Sequence, residues 1–253
     1  MFLVGSPRRI LVINPNTSTS ITETFKPVIA ELDFPYKYDY TYWTSPQGPA
    51  MIKSEGDLSE SASQCLPLLL GIAHEFDGFL AACYADHPLV NMLRAAVRGK
   101  PVVSIFEASI LAAIALVGES STFGIVTTAV VYEDMLDTSV NRLLGSPQAR
   151  KLFAGTCATH IGLQDLQPGH EQRAGMKIVK ATTELIEKSD ATVDIVCMGG
   201  VILGGKEAWV RKAFDAEKRD VKIVDQLLAG MLILDAMLNH TPMEKVDFDR
   251  VLR

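Results

Sequence analysis

The stretch DGFLAACYADHPLV, residues 77–90, holds the pattern that decides the fold. An apolar run ends at Cys83, a short polar turn follows, and a helical pattern begins near Asp86. This order predicts a buried strand, a loop and a helix, with a thiol where the strand ends. The run VDIVCMGGVILGG, residues 193–205, repeats the order with Cys197.

Strand-like and helix-like segments alternate along nearly the whole chain. We expect strands in RILVIN (9–14), YKYDYTYW (36–43), DGFLAAC (77–83), PVVSI (101–105), TFGIVTT (122–128), LFAGTCATHIG (152–162), VDIVC (193–197) and VKIVD (221–225), each followed by a helical pattern. Such alternation predicts an α/β fold in which parallel sheets are flanked by helices.

The two halves of the chain follow one plan. RILVINPNTS and TFGIVTTAVV are both strands that lead into a loop of amides or hydroxyls. Cys83 follows Asn14 by 69 positions, and Cys197 follows Thr127 by 70. Because ligands bind at the carboxyl ends of parallel strands, this repeat predicts two lobes whose polar loops and thiols share one cleft. The amides and hydroxyls at residues 14–17 and 127–128 are candidates either for ligand binding or for helix capping alone.

Composition excludes several classes of protein. The net charge is −6 and no basic block is present, so nucleic acid and anionic membranes are poor candidates for partners. Residues 101–118 are the best candidate for a membrane span, but Glu107 in mid-run favours a strand and a buried helix. The cysteines form no C-x-x-C pair and the N-terminus lacks a signal-peptide pattern, which predicts free thiols in a cytoplasmic protein.

The four cysteines divide into two kinds. Cys65 and Cys157 lie inside apolar patterns typical of core positions. Cys83 and Cys197 each precede a helix start, whose N–H groups and dipole can lower a thiol pKa towards neutrality. Such a thiol is a usable general base. The histidines are scattered and no nucleotide-binding glycine motif follows a strand, so neither a metal nor a cofactor is expected.

Five segments carry a resemblance to a known family. INPNTS, GPAMI, CYAD, GIVTT and CMGG occur in the order seen in Asp/Glu/hydantoin racemases, and the chain resembles the hydantoin and allantoin racemase branch from Ile10 to about Asp225. The resemblance implies two pseudo-symmetric α/β lobes, each a parallel sheet flanked by helices, with the active-site cleft between them. We divide the chain into a first lobe of residues 1–105 plus 220–253 and a second lobe of residues 106–219.

The resemblance also implies cofactor-independent racemisation of a 5-substituted hydantoin or allantoin-like cyclic ureide, a step in nitrogen metabolism, by a possible homo-oligomer. Cys83 and Cys197 would be the acid–base pair. The implied substrate-binding residues are Asn14, Gly48, Pro49, Ala50, Met51, Tyr84, Thr127, Thr128, Gly199 and Gly200.

This chain departs from the branch pattern at Met51, at Lys53 and in the Gly199–Gly200 pair. These departures leave alternatives open. A maleate-type isomerase, a decarboxylase or an amino-acid racemase would share the fold, and a non-catalytic sensor of a small ligand would use the same cleft.

Overall fold

The computed structural model describes residues 7–34 and 38–239, which form two four-stranded parallel sheets flanked by helices. The eight strands are β1 Arg8–Asn14, β2 Tyr38–Thr44, β3 Gly78–Ala81, β4 Val102–Ser104, β5 Ser121–Thr127, β6 Phe153–Ala158, β7 Thr192–Gly199 and β8 Lys222–Val224. The α-helices are α1 Thr19–Ala30, α2 Glu55–Ile72, α3 Pro88–Ala96, α4 Ile105–Leu116, α5 Glu133–Leu144, α6 Ser146–Leu152, α7 Glu171–Lys188, α8 Glu207–Ala216 and α9 Gln226–Asn239. The expected α/β class and parallel sheets are confirmed.

The two sheets have the same strand order. The first runs β2-β1-β3-β4 and the second runs β6-β5-β7-β8, so β1 corresponds to β5 and β3 to β7. All strand pairs are parallel. The equal order places the loops that follow β1, β3, β5 and β7 at the carboxyl ends of the central strands, where ligands of such sheets bind.

The helix starts are fixed by local side chains. The Ser54 hydroxyl accepts a hydrogen bond from Asp57 N at 3.1 Å, and so caps α2. The imidazole of His87 accepts from Leu89 N at 3.2 Å, with Pro88 as the first residue of α3. These contacts satisfy N–H groups that the first turn of a helix leaves unpaired.

The apolar stretch 101–118 divides into β4 and the buried helix α4, as its sequence predicts. In the part of the chain that the structure describes, no helix is both long and apolar enough to cross a membrane. Helix α9 packs on α4 and on strands β3 and β4. Strand β8 pairs with β7, so residues 222–224 belong to the second sheet, whereas the sequence division assigns them to the first lobe.

Candidate active site

A cavity of about 550 Å³ lies between the lobes at the carboxyl ends of both sheets. Its wall in the first lobe consists of Asn16, Ile21, Met51, Ile52, Lys53, Ala82, Cys83, Tyr84 and Ala85. Its wall in the second lobe consists of Thr127, Thr128, Ala129, Val131, Tyr132, Met135, Ile161, Gly162, Leu163, Gly199, Gly200, Val201 and Ile202. Most of these side chains are apolar, and Lys53 is the one charged residue among them.

The structure brings together most of the residues that the sequence singles out. Met51, Tyr84, Thr127, Thr128, Gly199 and Gly200 line the cavity together with Cys83. Asn14, Gly48, Pro49, Ala50 and Cys197 do not line it. Sequence reasoning missed the apolar wall from Val131, Tyr132, Met135 and Ile161, because these residues follow strands in loops and helix starts that carry no motif.

Asn14 lies beneath the cavity wall and does not line the cavity. It is fully buried, and its amide nitrogen donates to Ser18 O and to Thr22 Oγ1, both at 3.0 Å. Its amide oxygen accepts from the backbone N–H of Asn16 at 3.3 Å. Asn14 therefore shapes the loop after β1, and Asn16 is the amide of that loop that reaches the cavity.

The Gly48–Ala50 loop has a similar supporting place. Gly48 has a φ of 103°, a left-handed conformation that glycine adopts without strain. The carbonyl of Pro49 accepts a hydrogen bond from Thr17 N at 3.1 Å, which joins this loop to the loop after β1. The chain then turns inward, so that Met51, Ile52 and Lys53 form one side of the cavity.

Cys83 lies two residues beyond the end of β3 and contributes to the cavity wall. It is half-buried and packs beside Ala85 and Met135. Burial, with a smaller effect of the nearby Cys65 thiol, raises the pKa of its thiol to about 12. The sequence-based expectation of a pKa lowered towards neutrality is therefore wrong, because α3 begins five residues later and desolvation exceeds any effect of its dipole.

Cys197 does not line the cavity. It lies inside β7, two residues before the strand ends, and none of its surface is exposed. Its thiol lies 3.7 Å from the carbonyl oxygen of Ser109 in α4, and burial raises its pKa to about 12. The expectation that both thiols face one cleft is not met.

The side chain of Tyr84 lines the cavity and also interacts with the buried thiol of Cys197. Its Oη lies 2.8 Å from Ser109 Oγ, and Ser109 in turn donates to Phe106 O at 2.9 Å. Desolvation raises the pKa of Tyr84 well above its usual value, so the phenol stays neutral. Tyr84 thus lines the cavity while its hydroxyl is held in a buried hydrogen bond to Ser109.

Several residues of the cavity wall have backbone N–H groups that are unpaired within the described part of the chain. Those of Cys83, Tyr84 and Ala85 make no hydrogen bond among the residues that the structure describes, and those of Thr128 and Ala129 also lack one there. All five residues line the cavity, three from the first lobe and two from the second. Unpaired N–H groups in the wall of a cavity are suited to stabilise a developing oxyanion.

A metal site has no support in the described residues, where no group of three or more His, Cys, Asp or Glu side chains could hold an ion. The cavity wall contains the thiol of Cys83, two threonines, the amide of Asn16, the charge of Lys53, the unpaired N–H groups and an apolar surface. This set of groups suits proton transfer beside a carbonyl group.

Comparison with known proteins identifies the family. A family model described as Asp/Glu/hydantoin racemase matches residues 10–232. The chain belongs to the Asp/Glu/hydantoin racemase family. Members of this racemase family act on small molecules, and the likeness supports an isomerase-type enzyme.

Two relatives of this racemase-family chain come from yeasts. An uncharacterised protein of Schizosaccharomyces pombe is 32% identical over 91% of this chain and 92% of its own length. Protein DCG1 of Saccharomyces cerevisiae is 30% identical over 94% of this chain and 99% of its own length.

Solved structures share the racemase fold at lower identity. Allantoin racemase of Pseudomonas fluorescens has a TM-score of 0.72 at 22% identity, covering 91% of this chain and 90% of its own. Allantoin racemase of Klebsiella pneumoniae has a TM-score of 0.71 at 20% identity, covering 91% of this chain and 87% of its own. A glutamate racemase, an arylmalonate decarboxylase mutant and a maleate cis-trans isomerase mutant share the fold as well.

Proposed function

We propose that this chain moves a proton at a carbon next to a carbonyl group in a small cyclic ureide of the hydantoin or allantoin type. Cys83 is the group that transfers the proton. One observation carries the proposal. Cys83 lines the same cavity as residues 83–85 and 128–129, whose backbone N–H groups are unpaired among the described residues. A thiol beside an oxyanion site is the minimum that enolate chemistry requires.

The wall of the cavity supports a neutral substrate. A free amino acid would need an acidic partner for its ammonium group, and no Asp or Glu lines the cavity. A ureide ring carries N–H and C=O groups that pair with the threonine hydroxyls and backbone donors. Its ring substituent would lie against apolar side chains such as Ile52, Met135 and Ile161.

The chemistry requires no group beyond those in the cavity. The Cys83 thiol first loses its proton to solvent. The thiolate then takes the proton from the ring carbon, and the electron pair of the C–H bond moves onto the ring carbonyl as an enolate. The N–H donors stabilise the enolate oxygen. The Cys83 thiol then returns a proton to carbon, which restores the carbonyl group and the thiolate.

Racemisation by two cysteines, the mechanism implied by the family resemblance, would require Cys197 to reach the substrate. Its thiol is fully buried and is not part of the cavity wall. The proposal therefore assigns proton transfer to Cys83 alone.

Decarboxylation is a second candidate, favoured by the raised pKa of Cys83. If an enolate forms by loss of carbon dioxide, the C–COO⁻ bond supplies the electron pair. The enzyme then needs an acid and no base, and a thiol that is protonated at neutral pH fits that role.

Hydrogen exchange tests the proposal. The wild-type protein is incubated in D₂O with a panel of hydantoins, allantoin, amino acids and substituted malonates, and deuterium at the acidic carbon is measured by mass spectrometry. We expect exchange with the ureides, at a rate that rises with pH because more Cys83 is ionised. Cys83→Ser should lower that rate by about 10²- to 10⁴-fold. Cys157→Ser, in β6 and outside the cavity wall, is the matched control.

Three results would change the assignment. Exchange confined to amino acids would replace the ureide by an amino-acid substrate. Release of carbon dioxide from the malonates, without exchange into ureides, would favour the decarboxylase. Equal rates in Cys83→Ser and wild type would refute the role of Cys83.

A further inference from the structure

The register of the two sheets shows which residue corresponds to Cys83 in the second lobe. In the first lobe the pairing of β1 with β3 places Ala82 beside the last residue of β1, with Ala82 N donating to Ile13 O at 2.8 Å. In the second lobe the last residue of β5 pairs with Gly199. One residue further along the chain stand Cys83 and Gly200, which are therefore equivalent by the internal symmetry of the fold.

Cys197 occupies a different position. It pairs with Ile125, two residues before the end of β5, and its equivalent in the first lobe is Leu80, which pairs with Val12. Leu80 and Cys197 are both fully buried in the same core cluster. The position of the second thiol in the sequence thus corresponds to a core position, two residues before Gly199, where the chain reaches the cavity wall.

Gly200 leaves space that a side chain could use, whereas Gly199 does not. A Cβ at Gly199 would lie 2.2 Å from Ile125 Cγ2 and 2.9 Å from the backbone oxygen of Val126. A Cβ at Gly200 would lie 3.0 Å from Thr128 Cγ2, a side-chain atom that can shift by a few tenths of an ångström. The φ of Gly200 is 166°, an extended conformation that any residue adopts.

We infer that this enzyme transfers protons on one face of its substrate, and that Gly200 is the position where a second acid–base side chain is missing. The inference rests on the proposed function, since it specifies the stereochemistry of that reaction. In the wild-type protein, Cys83 removes a proton and returns one to the same face, so configuration is retained while solvent deuterium enters. Inversion needs a proton donor on the opposite face, where the position equivalent to Cys83 has no side chain.

The stereochemical test compares exchange with inversion for each enantiomer of a ureide that undergoes exchange. We expect the wild-type protein and Cys197→Ser to exchange one enantiomer with retention, with inversion at least about tenfold slower than exchange. Gly200→Cys should raise the ratio of inversion to exchange and should extend exchange to the second enantiomer. Gly200→Ala adds the Cβ without the thiol and should leave the ratio unchanged. Racemisation by the wild-type protein as fast as exchange, or its loss in Cys197→Ser, would overturn the inference.

A second measurement does not depend on activity. Dibromoacetone bridges two thiols across a short gap, and peptide mapping by mass spectrometry identifies which thiols it joins. We expect a bridge between residues 83 and 200 in Gly200→Cys and none in Cys83→Ser/Gly200→Cys. A folded Gly200→Cys protein without this bridge would refute the equivalence. The bridge together with no exchange in any ureide would refute the proposed function and leave the equivalence standing.

Discussion

Arg142 in α5 binds Asp86, three residues after Cys83, across the boundary between the lobes. Arg142 Nη1 lies 3.0 Å from Asp86 Oδ2, and its Nη2 lies 3.2 Å from Glu55 Oε1 at the start of α2. The three side chains join the second lobe to the loop and the helix that border the thiol side of the cavity. These ion pairs therefore connect the two lobes next to the cavity.

Replacing Arg142 should make Cys83 more accessible to reagents while changing the free energy of unfolding little. Exposed ion pairs contribute about 0–1 kcal/mol each, so Arg142→Gln should change the free energy of unfolding little. We expect faster alkylation of Cys83 by iodoacetamide, followed by peptide mass spectrometry, and a weaker dependence of that rate on salt. Arg211→Gln, an exposed substitution in α8, is the control. Equal alkylation rates in both variants would show that the contact does not restrain the lobes.

The buried thiol of Cys197 should make the protein less stable in alkali. Burial raises the pKa of this thiol to about 12 in the folded chain, whereas an unfolded chain ionises cysteine near its usual ~8.5. The unfolded state then binds fewer protons, so folding stability falls as pH rises from about 8.5 towards 12, by roughly 1.4 kcal/mol per pH unit. Urea titrations between these pH values measure the slope. Cys197→Ala should flatten the slope relative to wild type. An unchanged slope would show that burial does not raise the pKa of Cys197.

The buried imidazole of His87 should make the protein less stable in acid. It is buried, and desolvation lowers its pKa to about 4, while the imidazole contacts Ser61 Oγ at 3.2 Å. An unfolded chain protonates histidine near pH 6.5, so the stabilising contribution is present above that pH and is lost as pH falls from about 6.5 to 4. The total is about 3 kcal/mol. His87→Asn, which keeps a helix-capping side chain, should reduce the acid sensitivity of urea unfolding, and the exposed His74→Gln should not.

Lys53 should influence which ligands bind. It is the one charged residue of the cavity wall, and its side chain is exposed at the rim. We expect Lys53→Glu to weaken binding of an anionic ureide by about fivefold while a neutral ureide is little affected. Calorimetric titration with both ligands measures the difference, with Lys180→Glu on the outer surface as the control. Equal effects on both ligands would make Lys53 a solvated surface charge.

Periodicity predicted the sheets well and the ends of their strands less well. The apolar run at residues 193–197 predicts a strand that ends in cysteine, but β7 continues through Met198 to Gly199. Glycine is depleted in strands, and here the pairing with β5 holds Gly199 in the strand. This extension of two residues moved Cys197 from the predicted cleft into the core.

The sequence likewise predicted the location of the candidate site but not every residue that lines it. Loop motifs located the cavity correctly, because the loops after central strands of a parallel sheet share one edge. They did not distinguish the residue that supports a loop from the one that lines the cavity. Asn14 and Asn16 are both amides of one motif and both hydrogen-bond to Ser18, but only Asn16 lines the cavity.

Helix α9 follows the strands of the second sheet in the chain but packs on the first sheet. Each sheet comes from one continuous half of the sequence, yet the last helix of the second half returns to cover β3 and β4 of the first. A chain cut in the connection between α4 and β5 would yield an amino-terminal fragment that exposes the apolar surface normally covered by α9. The two fragments should therefore complement each other when mixed, and neither half should be soluble when expressed alone. If the halves arose by duplication of one ancestral unit, that unit had to exchange its terminal helix with a second copy before fusion made the exchange internal.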